Sequence, residues 1–284
     1  MSGDQGRTRP ALRYLGGKWR LAPWIISHFP PHRVYVEPYG GAASVLLRKP
    51  RSEGEVWNDL DGELVNYFEV LRDPGLAARL CQQLRLTPYA RAEFEGAYEP
   101  CEEPVERARR LVVRSFMGFG SNAGNLGRNT GFRGDARRKY CTPAREWGQF
   151  PEALEAIVAR VQSGVQLERR PALDVIRQRD GADTLFYVDP PYLHDTRGAK
   201  RKHGALHNAY AHEMDDAAHG ALLERLTEAA GLVVLSGYRC PLYDFWLRGW
   251  RRIDRQAYAH GALSRTESLW LNPAAAGALA EAQP

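Results

Sequence analysis

Apolar residues along the 284-residue chain fall into short runs stopped by proline or glycine, and these runs alternate with amphipathic stretches. VYVEP (34–38) is an apolar run ending at proline and predicts a buried strand; GEVWND (54–59) predicts a second. AASVLLRK (42–49) has helical character up to Pro50, and GELVNYFEVLRD (62–73) carries apolar residues at 64, 65, 68 and 71, the stripe of a helix. Strand, helix, strand, helix at this spacing begins a parallel α/β sheet. The pattern then changes. Residues 75–118 read as mostly helical with breaks at Pro88 and Pro104, and 118–145, rich in Gly, Asn and Arg, read as a long loop without regular elements.

Alternation resumes afterwards. Residues 147–163 predict a helix, VQLER a strand, and LFYVD (185–189) another buried strand. A second polar, basic loop (193–214) precedes a helix over 215–231, with Gly231 near its end, and a strand at LVVLSG (232–237). CPLYDFWL predicts a short helix, and WRRIDRQAYAH with TESLWLN a closing antiparallel pair; the alanine-rich tail after Pro273 is expected to fray. The expected fold class is α/β, an open parallel sheet interrupted by a helical, basic insert.

Charge changes the picture of that insert. The chain carries 39 basic and 34 acidic residues, a net charge of +5. Residues 107–145 hold ten of the basic side chains (Arg107, Arg109, Arg110, Arg114, Arg128, Arg133, Arg137, Arg138, Lys139, Arg145) and one acid, Asp135. Outside this segment acids outnumber bases. A solvated basic face and a nucleic-acid interface both fit that count. Interleaved Phe116, Phe119, Asn122, Asn125, Asn129, Phe132 and Tyr140 add groups suited to base contact beside phosphate contact.

Cysteines 81, 101, 141 and 240 form no Cys-x-x-Cys pair and have no histidine at zinc spacing, so scattered reduced thiols and no metal are expected. His194, His203, His207 and His212 share the second basic loop without a ligand spacing and read as polar loop residues. No stretch approaches the roughly 18 apolar residues of a membrane span. The first ten residues lack the apolar core of a signal peptide, which points to a cytoplasmic protein.

Open parallel sheets bind ligands at the carboxyl ends of their strands, and three polar features fall there. Gly40 and Gly41 of VEPYGGAAS lie between a strand and a helix, where glycine serves either a tight turn or close approach of a ligand. Asp59 of NDLD ends the next strand, 18 residues beyond Gly41; it can accept hydrogen bonds from ribose hydroxyls or cap the helix beginning near Asp61. Asp189-Pro190-Pro191-Tyr192 follows LFYV. Asp189 brings acceptor oxygens, the prolines bring a stiff turn with carbonyls free of a competing N–H, and Tyr192 brings an aromatic face. The corner suits the amine of a planar base; a plain strand-ending turn is the alternative.

DPPY resembles the catalytic motif of amino-directed DNA methyltransferases. RYLGGKWRL (13–21) is similar to their N-terminal motif, EPYGGAAS to their glycine motif and NDLD to the acidic motif that follows. This order, with a target-recognition insert before DPPY, resembles the Dam-like, alpha-group family of DNA adenine-N6 methyltransferases; LVVLSGYRCPLYDFW and RTESLWLNP resemble its phage-type branch. The resemblance spans roughly residues 11–273. It implies a Rossmann-like methyltransferase sheet in a discontinuous catalytic domain (11–73 and 164–273), a target-recognition insert (74–163) and a frayed tail (274–284).

The resemblance also implies S-adenosyl-L-methionine as cofactor, held by Tyr14, Lys18, Glu37, Gly40, Gly41, Asp59 and Asp189. Tyr14 stands where the family has tryptophan, and Ala43 where it has a second glycine. Lys18 would otherwise read as a surface lysine. Asp189, Pro190 and Tyr192 are the expected catalytic residues, acting on N6 of a flipped adenine. Arg114, Asn122, Asn125, Arg128, Arg133, Arg137, Arg138 and Lys139 are the expected contacts to double-stranded DNA. A monomer in a bacterial or phage-infected cell, serving modification or protection against restriction, completes the expectation. Methylation of an RNA amine, and a non-enzymatic DNA-binding descendant of a methyltransferase, are the rival readings.

Overall fold

A computed structural model describes residues 9–120, 130–135, 142–193, 210–258 and 264–282. The chain divides into two compact units, interleaved in sequence. The first takes the residues up to Ala22, Gly41–Pro50 and Asp61–Arg169; the second takes Pro23–Gly40, Arg51–Leu60 and Arg170–Pro284. Relative to the expected boundaries at 74 and 163, the N-terminal motif, the segment after the glycine pair and the helix over 62–73 all fall in the mainly helical unit.

Strands β1 (Val34–Glu37), β2 (Gly54–Asn58), β3 (Val165–Glu168), β4 (Thr184–Val188), β5 (Leu232–Gly237), β6 (Arg251–Tyr258) and β7 (Ser264–Leu271) form a sheet of order β3-β2-β1-β4-β5-β7-β6. β1 is parallel to β2 and β4, β4 is parallel to β5, and β7 runs antiparallel to β5 and β6. Every residue of β4 and β5 is buried, as expected of strands covered on both faces, which is why they appear in sequence as unbroken apolar runs. In the second unit Val36, Phe186, Val188, Val233 and Leu235 pack with Val175 and Ile176 of α8 (Ala172–Arg179) and Leu222, Leu223 and Leu226 of α9 (Asp216–Thr227). The chain leaves β1 toward β2 on one side and reaches β4 on the other, so the strand order reverses between β1 and β4. That is where open α/β sheets form their ligand crevice.

In the first unit α2 (Gly62–Arg72), α3 (Pro74–Leu86), α4 (Arg91–Gly96), α5 (Pro104–Met117), α6 (Pro143–Gly148) and α7 (Phe150–Gln162) pack around α5. Prolines open α3, α5 and α6, positions whose N–H has no intrahelical partner in any case, and Asp73, Glu103 and Thr142 cap them. Among the described residues no helix is long and apolar enough to cross a membrane.

Four expectations are corrected. Residues 42–49 are a run of turns rather than a helix: Leu47 N–H reaches Ala43 C=O at 2.9 Å, but Ala43 sits at φ 54°, which no helix accommodates. The helix over 147–163 is two, because Pro151 cannot donate into a preceding turn and the chain restarts at Phe150. The loop over 118–145 contains an antiparallel bridge between Gly118 and Phe132 and, at its end, the start of α6. The tail is helix α11 (Pro273–Ala282), with Ala275 and Leu279 buried. Asn272 Oδ1 accepts from Ala275 N–H at 2.9 Å and Val233 N–H at 3.0 Å, and its amide donates to Gly231 C=O at 2.9 Å, so one side chain caps α11 and ties it to β5.

Candidate active site

The Asp189–Tyr192 corner leaves β4 beside β1 and is held from two sides. The Tyr192 hydroxyl donates to the Glu267 carboxylate of β7 and lies 3.1 Å from Ser236 Oγ of β5. Its ring meets Tyr238 edge-on, with centroids 4.7 Å apart, leaving 8% of the residue exposed. Burial, then the charges of Asp189 and Glu267, push the Tyr192 hydroxyl far above the usual tyrosine range, so it stays a donor. On the other side the Pro191 carbonyl accepts from His219 Nε2 at 3.0 Å. Asp189 itself is partly exposed at the strand end. Ser236 and Glu267 lie within LVVLSGYRCPLYDFW and RTESLWLNP, but nothing local marks them or His219 as partners of the corner, because their contacts are 28 to 75 residues away.

At the ends of β1 and β2 the same unit positions three more predicted residues. Glu37 is buried and accepts from the Tyr35 hydroxyl at 2.6 Å. Asn58, which sequence reasoning also missed, donates to the Pro38 and Arg170 carbonyls at 2.8 and 3.0 Å and accepts from Arg170 N–H at 2.9 Å, fixing the turns after β1 and before α8. Gly40 N–H donates to Asn58 C=O at 2.8 Å. A Cβ on Gly40 would lie 2.1 Å from Trp57 Nε1, so the buried indole, packed on bare backbone, demands glycine here. The cap of α2 is Asp61, whose carboxylate accepts from Glu63 N–H at 2.9 Å. The capping role once open to Asp59 is thus filled by its neighbour, and Asp59 stands partly exposed after β2.

Tyr14, Lys18 and Gly41 belong to the first unit. Gly41 adopts φ 49°, and a Cβ there would come 3.3 Å from Tyr14 Cε1, so the tyrosine ring lies along a left-handed glycine. Lys18 is 6% exposed, not a surface lysine: its Nζ donates to Gly16 C=O at 3.0 Å, and its own carbonyl accepts from Leu21 and Ala22 N–H. Ala43, the departure from a second glycine, is fully buried in the left-handed region. Arg160 of α7 donates to Leu46 C=O at 3.0 Å and so supports the turns that follow.

The basic segment is corrected most. Arg114 is 1% exposed; it donates to Glu63 at 2.9 Å and to Ala97 C=O at 2.6 Å, and burial lowers its pKa against the pull of Glu63. Arg133 is also buried and pairs with Glu146 at 2.8 Å. Arg107 joins Glu63, Arg109 joins Glu93 and Glu106, and Arg110 joins Glu106. These arginines knit the helical unit together, so Arg114 and Arg133 are structural cations rather than groups displayed to DNA. The remaining expected DNA contacts, Asn122, Asn125, Arg128, Arg137, Arg138 and Lys139, lie outside the described residues. Among the described residues no cluster of three or more His, Cys, Asp or Glu side chains could hold a metal ion.

The family model of D12 class N6 adenine-specific DNA methyltransferase matches residues 14–257. A DNA adenine methylase of Vibrio cholerae is 24% identical over 195 residues, 66% of each chain. One of Haemophilus influenzae is 26% identical over 196 residues, 65% of this chain and 64% of that one, and one of Escherichia coli is 24% identical over 193 residues, 66% of each. With a match that begins at Tyr14 and runs through the strand-end features to β6, the chain belongs to the D12 class of N6 adenine-specific DNA methyltransferases.

Proposed function

We propose that the protein transfers a methyl group from S-adenosyl-L-methionine to N6 of a flipped adenine in double-stranded DNA, at a specific sequence. The observation that carries this reading is the Asp-Pro-Pro-Tyr corner, tied back at its tyrosine and second proline and placed where the strand order reverses. A base in the stack cannot be reached, so the target leaves the duplex. Its amine then donates to the Asp189 carboxylate and the Pro190 carbonyl, while the Tyr192 ring, fixed at its hydroxyl, gives the base a wall to stack on. Two acceptors aimed at the amine draw its lone pair out of the ring and favour the geometry in which positive charge develops on nitrogen. The surplus proton leaves to water, so Asp189 need not act as a strong base.

The donor set suits the cofactor. Asp59, partly exposed after β2, offers a carboxylate to ribose hydroxyls. In the second unit Gly40 offers bare backbone and Glu37 and Asp189 offer acceptors; Tyr14, Lys18 and Gly41 of the first unit are the further contacts that the family resemblance implies. When bound, S-adenosyl-L-methionine supplies a methyl on positively charged sulfur, open to attack by nitrogen. Phosphate contact is assigned to the four basic residues Arg128, Arg137, Arg138 and Lys139, since their neighbours Arg107, Arg109, Arg110, Arg114 and Arg133 are engaged internally.

Expression in cells lacking DNA methylation, followed by sequencing of modified bases, is the direct test. The wild-type protein is expected to leave N6-methyladenine at one short sequence, and Asp189→Ala is expected to leave none while binding DNA with affinity within about threefold of wild type, a difference of roughly 0.6 kcal/mol. A wild-type protein that deposits no N6-methyladenine, or an Asp189→Ala variant with near-normal turnover, overturns the reading.

A further inference from the structure

His219 of α9 is fully buried, and both of its ring nitrogens are engaged. A carbonyl can only accept, so the 3.0 Å contact with Pro191 O places a proton on Nε2. Nδ1 faces the Tyr243 hydroxyl of α10 (Pro241–Trp246) at 3.1 Å. Burial holds that hydroxyl protonated far above the usual tyrosine range, so it donates to Nδ1. Tyr243 is set in turn against Trp270, edge-on at 5.3 Å. The imidazole is thus locked in one tautomer and one orientation.

Neither Pro190 nor Pro191 has an N–H, so the backbone of the proline pair can be gripped only through its carbonyls. His219 grips one of them. We infer that His219 is a positioning residue for methyl transfer: by occupying the Pro191 carbonyl it orients the proline pair, so that the Pro190 carbonyl alone meets the adenine amine beside Asp189. The inference rests on the amine reading of the corner given above. His219 touches neither base nor cofactor in this scheme and acts entirely through Pro191.

Two neutral amides separate this role from simple packing. A glutamine side chain carries its amide about as far as Nε2 and can still donate to Pro191; an asparagine side chain reaches only about as far as Nδ1. His219→Gln is expected to keep the single-turnover methylation rate within about threefold of wild type, and His219→Asn to lose about tenfold, the worth of one hydrogen bond felt in the transition state. Dissociation constants for S-adenosyl-L-methionine and for duplex DNA are expected to stay within about threefold in both. Tyr243→Phe keeps the ring packing and deletes only the hydroxyl that orients Nδ1. It is expected to slow single-turnover transfer severalfold with binding unchanged, so the inference stands or falls on this variant even if His219→Asn does not fold. Equal rates for the glutamine and asparagine variants, a loss appearing only in the binding constants, or a wild-type rate in Tyr243→Phe overturns the inference. A wild-type protein that methylates no adenine in the same assay overturns the underlying reading and the inference together; an active wild type with any of the first three results overturns the inference alone.

Discussion

Gly40→Ala separates two reasons for the glycine pair after β1. In the structure the added methyl would stand 2.1, 2.3 and 2.6 Å from Trp57 Nε1, Cδ1 and Cε2. Ordinary contact needs at least about 3.5 Å, so the indole must retreat by roughly 1.4 Å or the β1 turn must open. Trp57 is fully buried and Gly40 N–H is bonded to Asn58 C=O, so neither can yield cheaply. Overpacking typically costs about 1–3 kcal/mol, and an overlap this deep belongs at the upper end, about 3 kcal/mol. Urea unfolding followed by circular dichroism should show the midpoint fall with an unchanged slope. Trp57→Leu deletes Nε1 and Cε2 at a cavity cost of about 3 kcal/mol. The double variant should then be less destabilised than the sum of the single ones by at least about 1 kcal/mol, a coupling that two independent sites would not show. A Gly40→Ala variant with wild-type stability and lost cofactor binding would refute the packing argument and show that the ligand, not Trp57, requires the glycine.

Three further outcomes follow from the structure. Glu63→Ala removes the counter-charge of the buried Arg114 and the partner of Arg107, and should cost about 3–5 kcal/mol in chemical unfolding. Asn272→Ala deletes the cap of α11 and two bonds to the β5 edge; a loss of about 2–3 kcal/mol in thermal or chemical unfolding is expected, whereas a fraying tail would show none. Glu106 is held below the ordinary glutamate range, first by its hydrogen bond to Arg109 and then by Arg110, against its own partial burial. Its stabilisation is therefore present above the ordinary glutamate pKa and is lost as pH falls through the depressed value. Glu106→Gln should flatten the acid side of the stability–pH curve, measured as unfolding midpoints from neutral pH down to about pH 3.

The sheet was legible because its central strands are covered on both faces: VYV, LFYV and LVVL read as apolar runs, and proline or glycine follows closely after each. The corner was legible because two prolines after a buried strand leave few conformations and an unusual set of acceptors. What failed were features whose cause lies far along the chain. Counting charges within 107–145 found a basic segment, yet five of its arginines (Arg107, Arg109, Arg110, Arg114 and Arg133) are paired with Glu63 and Glu93 upstream and with Glu106 and Glu146 just outside the counted window. Residues 42–49 have helical composition, but Ala43 turns left-handed beside Gly41 and spoils the helix. The alanine-rich tail looked too weak to hold a helix because nothing local reveals that Asn272 is pinned to Gly231 and Val233.

The register that sets Val34 beside Thr184 also sets a timetable for synthesis. β1 leaves the ribosome about 150 residues before its central partner β4, a wait of roughly 8–30 s at about 5–20 residues per second. Through that interval the edge of β1 that carries Tyr35 and Val36, wholly buried in the finished sheet, has no β4 to pair with. Every segment of the helical unit has been synthesised by Arg169, before β4 exists at all. The helical unit is therefore complete before the sheet, and a ribosome halted between Arg169 and Thr184 holds a nascent chain in which β1 has one edge open to the wrong neighbour.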